Sequence, residues 1–407
     1  MGSLSLQQKY ARLATDDAPG QEIRQGTGSI LPLLRGDRLA GTPVDFSHGD
    51  VDAFTPTPGA FEAFSQAVEI GGRRAYTEYR GDQELRAMVA QRLAGFTGAA
   101  VCGEHGLIIT PGTQGALFLA VAATVKAGDK VAIVQPDYFA NRKIVQFLEG
   151  EIAPVRLHYL DHEERAGIDL GQLEDAFKAG ARVFLFSNPN NPAGVIYEPA
   201  EIQAIAKLAT QYGVTVIADQ LYCRLLYDGH TYTHLCAMDM DPERLVTVIG
   251  PSKTESLSGY RLGVAFGSRL VIDRMEKLQA IVSLRAAGYN QSVLQTWFAE
   301  PDGWMRERIA AHQSIRDDLL RRLRTVDGLR ARTPQAGSYL FPQLPPLAVG
   351  TGEFVRILRH HADVVVTPGS EFGPHVTDSV RLNFSQDHAA AVQAIERVID
   401  LIRRYRA

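Results

Sequence analysis

Cysteine is scarce in this chain of 407 residues. The three cysteines, Cys102, Cys223 and Cys236, form no CxxC pair, so the sequence supports neither a disulfide framework nor a structural zinc site. This sparse usage favours a reducing compartment, and we expect a cytoplasmic protein. Long apolar runs are also missing, because no segment approaches the roughly 20 apolar residues of a membrane span and the N-terminal stretch is too polar for a signal peptide.

An excess of positive charge is absent as well. The chain has 42 Lys and Arg against 46 Asp and Glu, a net charge of −4, whereas nucleic acids and anionic membranes attract a basic surface. We therefore expect neither of them as a partner. The remaining composition, 45% apolar and 22% charged, is that of an ordinary globular protein, and the length favours two domains over one.

Short β-branched runs alternate with helix-patterned segments between about residues 105 and 270. This alternation predicts an α/β fold in which a mainly parallel sheet is covered by helices. Helical segments begin near Thr113 and near Pro199, and the second is followed by Gly213. The strand candidates are "GLIIT", "KVAIVQ", "RVFLFS", "VTVIAD", "LVTVIG" and "RLGVAFG".

The pattern changes after about residue 270 to long helical stretches, interrupted at the "PDG" of residues 301–303. Short strand candidates and an amphipathic helix from about Asp387 follow, which predicts a smaller α+β domain. We expect this small domain to combine residues 1–48 with residues 296–407, and residues 49–295 to form the large domain.

The run "GPSKTESLSGYRLG" around Lys253 raises the question of what this lysine does. A nucleotide-binding P-loop would need glycines at the positions of Ser252 and Thr247, so that interpretation fails. The remaining chemical interpretation is a Schiff-base lysine that acts with a cofactor bound around it. The alternative is a solvated surface lysine, as most lysines are.

Several polar residues fall where the predicted strands end, which is where ligands bind in open α/β sheets. Thr113 and Gln114 open a helix whose N-terminus attracts anions, and Tyr138 could stack on a flat heterocycle. Asn191 lies between prolines, and Asp219 could pair with the protonated pyridine nitrogen of pyridoxal phosphate (PLP). Each residue alone also fits an ordinary role, such as a turn, core packing or a helix cap.

The order of these motifs resembles that of the class I/II aminotransferases, PLP-dependent enzymes of fold type I, over nearly the whole chain. "SKTESLSGYRLG" matches the lysine motif of the family in its spacing. The resemblance implies that Lys253 forms the Schiff base and that Arg261 pairs with the cofactor phosphate. "NPNNPAG" is similar to the Asn-Pro-Thr-Gly loop, which implies that Asn191 donates a hydrogen bond to the phenolic oxygen of PLP.

Two further motifs extend the resemblance. "ADQLY" implies that Asp219 contacts the pyridine nitrogen and that Tyr222 contacts the phenolic oxygen. "VRLNFS" implies that Arg381 holds the substrate α-carboxylate with its bidentate fork. "AYTEYRGDQELR" makes Tyr76 a phosphate ligand that reaches across from a neighbouring subunit, so a homodimer with shared active sites is expected. "HGDVDAFTPTP" brings the backbone of Gly49 close to the substrate carboxylate.

One position departs from the family pattern. Gly250 stands three residues before the lysine, where the family often has serine, so the phosphate contacts are expected to fall more on Ser252, Thr113 and Gln114.

The resemblance implies transfer of an α-amino group from an L-amino acid to a 2-oxo acid by ping-pong chemistry. A lyase, a decarboxylase or an oxidative enzyme of the same fold stays open as an alternative, as does a non-catalytic PLP-binding protein. The amino acid itself is not defined. Arg285 could supply a cation for a distal carboxylate from the partner subunit, or it could be a solvated helix residue.

Overall fold

The computed structural model describes residues 5–15, 18–21, 26, 28–48, 53–160 and 166–407. The helices are α1 (Leu6–Ala11), α2 (Ala60–Ile70), α3 (Gly72–Ala75), α4 (Gln83–Thr97), α5 (Gly112–Thr124), α6 (Phe139–Phe147), α7 (Leu170–Lys178), α8 (Pro199–Tyr212), α9 (Arg269–Val282), α10 (Gly288–Gln291), α11 (Trp304–Leu323), α12 (Thr351–Ala362) and α13 (His388–Arg404). The strands are β1 (Val44–Asp45), β2 (Leu107–Pro111), β3 (Lys130–Gln135), β4 (Glu151–His158), β5 (Gly167–Ile168), β6 (Val183–Ser187), β7 (Thr215–Asp219), β8 (Leu245–Ile249), β9 (Leu262–Gly267), β10 (Tyr339–Leu340), β11 (Val364–Val365), β12 (Thr367–Pro368) and β13 (Val380–Asn383).

A large mixed sheet has the strand order β2-β9-β8-β7-β6-β3-β4-β5. Strands β8, β7, β6, β3 and β4 are mutually parallel, whereas β9 is antiparallel to both β8 and β2. The carboxyl ends of β2, β3, β6, β7 and β8 therefore meet at one edge of the sheet, together with the beginning of β9. The six predicted strands are all present, and the sheet is α/β and mostly parallel, as the sequence predicts.

Helices cover both faces of this sheet, which explains the continuous apolar runs in its central strands. In β3, Val131 and Ile133 pack into a core with α5, α6 and α9, while Ala132 and Val134 pack into the opposite core with α7 and α8. Alternate residues of one strand are thus buried on opposite faces. No helix within the described ranges is long and apolar enough to cross a membrane.

A second apolar core lies among α11, α12, α13 and the three-stranded antiparallel sheet β10-β13-β12. The segment before residue 48 joins this core through Phe46, which is fully buried. Its N–H donates to Val365 O, and its carbonyl accepts from Asn383 N, each at 2.8 Å. These contacts support a small domain built from both termini, and the boundaries at 48/49 and 295/296 remain our proposal.

Two local features differ from the sequence patterns. Strand β4 is added beside β3, although Pro154 and charged residues in the run "EIAPVRLH" argue against a central strand. Helix α9 ends at Val282, and the following residues leave the helical path. Leu284 has a φ of 61°, and Arg285 donates to Thr77 O at 2.6 Å. The interpretation of Arg285 as a helix residue is therefore wrong.

Candidate active site

A cavity of about 230 Å³ opens at the carboxyl edge of the large sheet. It gathers most of the residues that the sequence singles out, although they are spread over 269 positions of the chain from Thr113 to Arg381. The predicted residues that line it are Thr113, Gln114, Tyr138, Asn191, Asp219, Tyr222, Ser252, Lys253, Arg261 and Arg381. Tyr76 lies outside this cavity and is 79% exposed, and Gly49 lies outside the described residues.

The N-terminus of α5 forms one end of the cavity. Its N-cap, Pro111, makes no side-chain capping bond, so the first-turn N–H groups and the positive end of the helix dipole are available to an anion. Arg261 packs against this turn, since a Cβ atom on Gly112 would lie 2.5 Å from Arg261 Nη2. Gly112 also has a φ of 76°, which favours glycine. A helix terminus and a guanidinium thus converge, as an anion site requires.

Close backbone packing explains the glycine three residues before Lys253. A Cβ atom on Gly250 would lie 2.9 Å from Thr113 Cγ2 and 3.2 Å from Leu262 O. A serine at this position would require the Thr113 side chain to move. Among the hydroxyls of this loop that line the cavity, that of Ser252 donates to Leu262 O at 3.3 Å.

Lys253 follows β8 in a short turn that directs it to the cavity. Ser256 N donates to Lys253 O at 3.1 Å, and Leu257 N donates to Pro251 O at 3.2 Å. The residues on both sides of the lysine, Ser252 and Thr254, are buried. Because Lys253 is partly buried and lines the cavity, the interpretation as a solvated surface lysine does not fit its position.

Asp219 ends β7 and is buried, with 8% of its surface exposed. Its Oδ1 atom accepts a hydrogen bond from Leu221 N at 3.1 Å, so it caps a turn rather than a helix. Burial raises the pKa of this carboxyl from 3.8 to about 6 because the charged form loses hydration. A cation placed against Asp219 would offset that loss.

Arg381 lies on β13, and its guanidinium is buried in the wall of the cavity. Nη1 donates to Asn191 Oδ1 at 3.2 Å and Nη2 donates to Ser47 O at 2.7 Å. Its Nε atom is buried and has no hydrogen-bond partner among the described residues. The guanidinium carbon also lies 4.2 Å from the ring centroid of Tyr339. This arrangement suits a carboxylate ligand, which would accept hydrogen bonds from the fork.

Two tyrosines of the cavity are already oriented by hydrogen bonds. Tyr222 donates from its hydroxyl to the Tyr339 hydroxyl at 2.6 Å, and Tyr138 donates to Gln114 Oε1 at 2.9 Å. Burial raises the pKa of Tyr222 and of Tyr138, so both phenols stay protonated near neutral pH. Both rings are therefore held as neutral donors.

The sequence analysis missed a buried pair, Asp137 and Ser187, that connects the ends of β3 and β6. Asp137 accepts hydrogen bonds from Tyr138 N at 2.6 Å, from Ser187 N at 2.9 Å, and from the Ser187 hydroxyl. Ser187 Oγ in turn accepts from Asn191 N at 3.0 Å. Burial raises the pKa of Asp137 well above its usual range. The available signal was the polar residue that directly follows or ends each strand, in "QPDYF" and "FSNPNN".

Tyr76 and Arg285 lie together outside the cavity. The Arg285 guanidinium carbon is 4.8 Å from the Tyr76 ring centroid and 5.5 Å from that of Tyr79. Cation–π contacts of this kind hold an arginine in place on an exposed surface. Within the described ranges, His, Cys, Asp and Glu form no group of three that could hold a metal ion.

A lysine, a buried aspartate and two arginines at the carboxyl edge of a mostly parallel sheet define an α/β enzyme of the fold type I architecture. The sequence model of aminotransferase class I and II matches residues 42–398. The chain therefore belongs to the class I and II aminotransferases, and it is an enzyme of the transaminase type.

Comparison with individual proteins agrees with this assignment. The chain is 66% identical to an aspartate aminotransferase from Rhodobacter sphaeroides 2.4.1, whose crystal structure superposes with a TM-score of 0.95 over 99% of this chain and 100% of that one. It is 27% identical to the aspartate aminotransferase of Musicola paradisiaca, over 94% of each chain. It is also 24% identical to aromatic-amino-acid aminotransferase 2 of Thermococcus litoralis, over 85% of this chain and 89% of that one.

Proposed function

We propose that this aminotransferase works with PLP and that Lys253 bonds covalently to the cofactor. The observation that carries the proposal is that Lys253, Asp219 and Arg381 line one cavity at the carboxyl edge of the sheet. Bound PLP supplies an electron sink for the negative charge that forms at the α-carbon of the amino acid. The protein residues then have to hold the cofactor, orient the substrate and move a proton.

The phosphate group fits the end of the cavity formed by α5. The uncapped first turn and the neighbouring Arg261 guanidinium support an anion there. We assign Thr113, Gln114 and Ser252 as further phosphate contacts because they line the same end. Tyr76 reaches the phosphate of a neighbouring subunit in this proposal.

Tyr138 and the polar residues at the strand ends would hold the ring of PLP. Asp219 pairs with the protonated ring nitrogen, because a buried carboxylate with a raised pKa is stabilised by a cation. Asn191 and Tyr222 donate hydrogen bonds to the phenolic oxygen, and the face of Tyr138 packs against the ring. The Asn191 amide has N–H groups to donate, and the Tyr222 hydroxyl, which donates to Tyr339 in the structure, would turn toward the phenolic oxygen.

Arg381 binds the α-carboxylate of the amino acid, and the buried Nε atom without a partner supports this assignment. The contact from the Gly49 backbone remains a prediction. The Lys253 amine would take the α-proton and hold it for its return. With PLP bound, the cofactor would carry the amino group from the donor amino acid to the 2-oxo acid.

We propose L-aspartate as the amino donor, with a 2-oxo acid as the acceptor. The identity of 66% to an aspartate aminotransferase supports this choice. A second carboxylate needs a second cation, and Arg285 of a neighbouring subunit is our candidate. Its contacts with Thr77, Tyr76 and Tyr79 keep the guanidinium beside the residue that we expect to cross the interface.

A homodimer with shared active sites follows from these assignments. Apolar side chains are exposed around Tyr76, namely Tyr79, Ile281, Val282 and Leu284. Gln279 and Arg285 join the segment around α9 to the segment around Tyr76, since Gln279 donates to Tyr79 O and Arg285 donates to Thr77 O. A second copy of the chain would cover this surface. The cytoplasmic location expected from the cysteine content stays a prediction.

The visible absorption spectrum of the purified protein tests the proposed function. We expect a band from bound PLP that is lost when L-aspartate is added alone and returns when a 2-oxo acid is added. Other amino acids, tested singly, report the range of donors. If the band persists while ammonia or carbon dioxide accumulates, the enzyme is a lyase or a decarboxylase, and the transfer chemistry proposed for Lys253 is wrong.

A further inference from the structure

Three charged side chains, of which Glu255 is buried and Arg224 and Glu300 are partly buried, lie beside the loop that carries Lys253. Arg224 Nη1 donates to Glu255 Oε1 and, at 2.8 Å, to Glu300 Oε1, while Nη2 donates to Glu300 Oε2 at 3.0 Å. The side chains of Glu255 and Glu300 are 1% and 8% exposed. The ring of Phe298 covers the guanidinium at 4.1 Å. One arginine is therefore shared between two carboxylates away from bulk water.

We propose that Arg224 is a positioning residue for Lys253 and acts through Glu255. The proposal rests on the role proposed above for Lys253. Arg224 follows Tyr222, a residue of the cavity lining, by two positions, and Glu255 follows Lys253 by two positions. The shared guanidinium therefore ties the segment after β7 to the loop after β8, and both segments carry residues of the active site.

The loop beyond Lys253 needs such support because its backbone is strained. Ser256 has a φ of 54°, a left-handed conformation that non-glycine residues rarely adopt. Arg308 holds this residue by donating to Ser256 Oγ at 2.7 Å and to Thr55 O at 2.6 Å. Ser256 N is also the donor to Lys253 O. Contacts at residues 255 and 256 thus determine where the lysine backbone lies.

The charge balance of the cluster shows why an arginine is needed. Burial raises the pKa of Glu255 from 4.5 to about 7, although Arg224 opposes this rise. Burial also acts to raise the pKa of Glu300, but the hydrogen bonds and charge of Arg224 outweigh it and lower that pKa. Without Arg224, two carboxylates would face each other in an apolar environment. One carboxylate would then have to take up a proton or reach water, and either change alters the contacts of Glu255, two residues from Lys253.

A chemical-labelling experiment on the cofactor-free protein separates positioning from general stability. An amine-reactive acetylating reagent is added, and mass spectrometry gives the acetylation rate of Lys253 relative to that of the exposed Lys207 in the same molecule. The variants are Arg224→Met, Arg224→Lys and Glu255→Gln. The control is Arg316→Met, because Arg316 is also buried and paired, with Asp228 at 2.8 Å, but it lies on α11 and does not contact the Lys253 loop through Glu255.

We expect the rate ratio in Arg224→Met to differ from that of the wild-type protein, because a displaced Lys253 amine would be reached differently by the reagent. Arg224→Lys and Glu255→Gln should change it less, since each keeps part of the hydrogen bonding. The control should melt at a lower temperature with an unchanged ratio. A wild-type ratio in Arg224→Met overturns the proposal. If that variant does not fold, a wild-type ratio in Arg224→Lys overturns it instead.

A second experiment separates a failure of this proposal from a failure of the proposed function, because it tests whether Lys253 bonds to PLP. Wild-type protein is incubated with PLP, reduced with borohydride and digested, and the peptide containing Lys253 is analysed for the cofactor adduct. If the adduct is absent, the proposed function of Lys253 fails, and the proposal that rests on it fails with it. If the adduct forms, the labelling ratios of the Arg224 variants alone decide whether this arginine positions the lysine.

Discussion

Asn191 Oδ1 accepts a hydrogen bond from Arg381 Nη1 at 3.2 Å, which joins the loop after β6 to β13 across the cavity. The contact leaves the amide N–H groups of Asn191 free to act as donors to a ligand, while Arg381 keeps part of its fork for a carboxylate. These two residues thus connect the two ends of the proposed site, the cofactor ring and the substrate carboxylate. Because Asn191 is assigned to the cofactor and Arg381 to the substrate, cofactor binding and substrate binding can be tested separately.

Replacing Arg381 by alanine should weaken amino-acid binding while PLP stays bound. Each hydrogen bond from a charged group contributes about 1.5–3 kcal/mol, so we expect kcat/KM for L-aspartate to fall by about 10- to 100-fold or more. Steady-state kinetics measures this loss, and the visible spectrum measures the bound cofactor. Arg381→Lys should recover only part of the activity because lysine lacks the bidentate fork. Loss of PLP from Arg381→Ala would show that this arginine serves the cofactor instead.

Lys253→Ala should abolish turnover. The proposed mechanism needs this amine both to bond to the cofactor and to move the α-proton, and no other lysine is among the described residues that line the cavity. A coupled transamination assay measures the loss, and Lys207→Ala provides a control on the exposed face of α8. Full activity in Lys253→Ala would exclude a covalent role for this lysine.

Asp219→Asn should weaken PLP binding and remove part of its pH dependence. In the wild-type protein burial raises the Asp219 pKa to about 6, so the carboxylate that pairs with the ring nitrogen is lost as the pH falls below that value. Wild-type affinity for PLP should therefore decrease between about pH 7 and pH 5. Asparagine has no charge to lose, and the difference between the two binding curves, measured by fluorescence titration, isolates the contribution of Asp219. Parallel curves would show that Asp219 does not contact the ring nitrogen.

Asp137→Ala should destabilise the edge of the sheet that holds Tyr138 and Asn191. The substitution leaves the buried N–H of Ser187 without its acceptor, which costs about 1–3 kcal/mol. Because burial keeps the Asp137 pKa well above its usual range, Asp137→Asn should be tolerated better near neutral pH. Denaturant unfolding of both variants measures the difference. Equal stability of the two variants would mean that hydrogen bonds from residue 137 do not hold these strand ends.

The sheet and most of the cavity could be predicted because both depend on local signals. Apolar runs such as "VTVIAD" end in a polar residue, and parallel strands bring those ends together whatever lies between them. Glu255 and Arg224 could not be paired from the sequence, because a Glu in a loop and an Arg after a strand are each ordinary surface residues by composition. Only the fold reveals that both are buried and that Glu300, 45 residues further on than Glu255, completes the cluster.

The sequence pattern also does not predict where α9 ends. The apolar spacing continues through residues 283–287, but Gly288 packs so closely that a Cβ atom there would lie 2.2 Å from Arg74 O. This tertiary contact, together with the hydrogen bond from Arg285 to Thr77 O, takes the chain out of the helix. The result is an exposed surface that carries Tyr76, Arg285 and the apolar residues nearby, which leads to the last prediction.

Subunit mixing should reveal whether Tyr76 serves the active site of a neighbouring subunit. A Tyr76→Ala subunit keeps its own Lys253, and a Lys253→Ala subunit offers an intact Tyr76. In a mixed dimer, one site therefore combines Lys253 of the first subunit with Tyr76 of the second. We expect an excess of the Lys253→Ala protein to raise the activity of the Tyr76→Ala protein. The activity per subunit that retains Lys253 should approach that of the wild-type protein.

The matched control replaces Tyr76→Ala by Arg381→Ala in the same mixture. Arg381 and Lys253 line one cavity within a single chain, so no mixed dimer restores a complete site and the activity should not rise. Analytical ultracentrifugation of the wild-type protein and of Val282→Asp, which places a charge in the exposed apolar surface, measures the dimer directly. If mixing never restores activity although mixed dimers form, Tyr76 acts within its own subunit or not at all. A monomeric, fully active wild-type protein would exclude shared active sites.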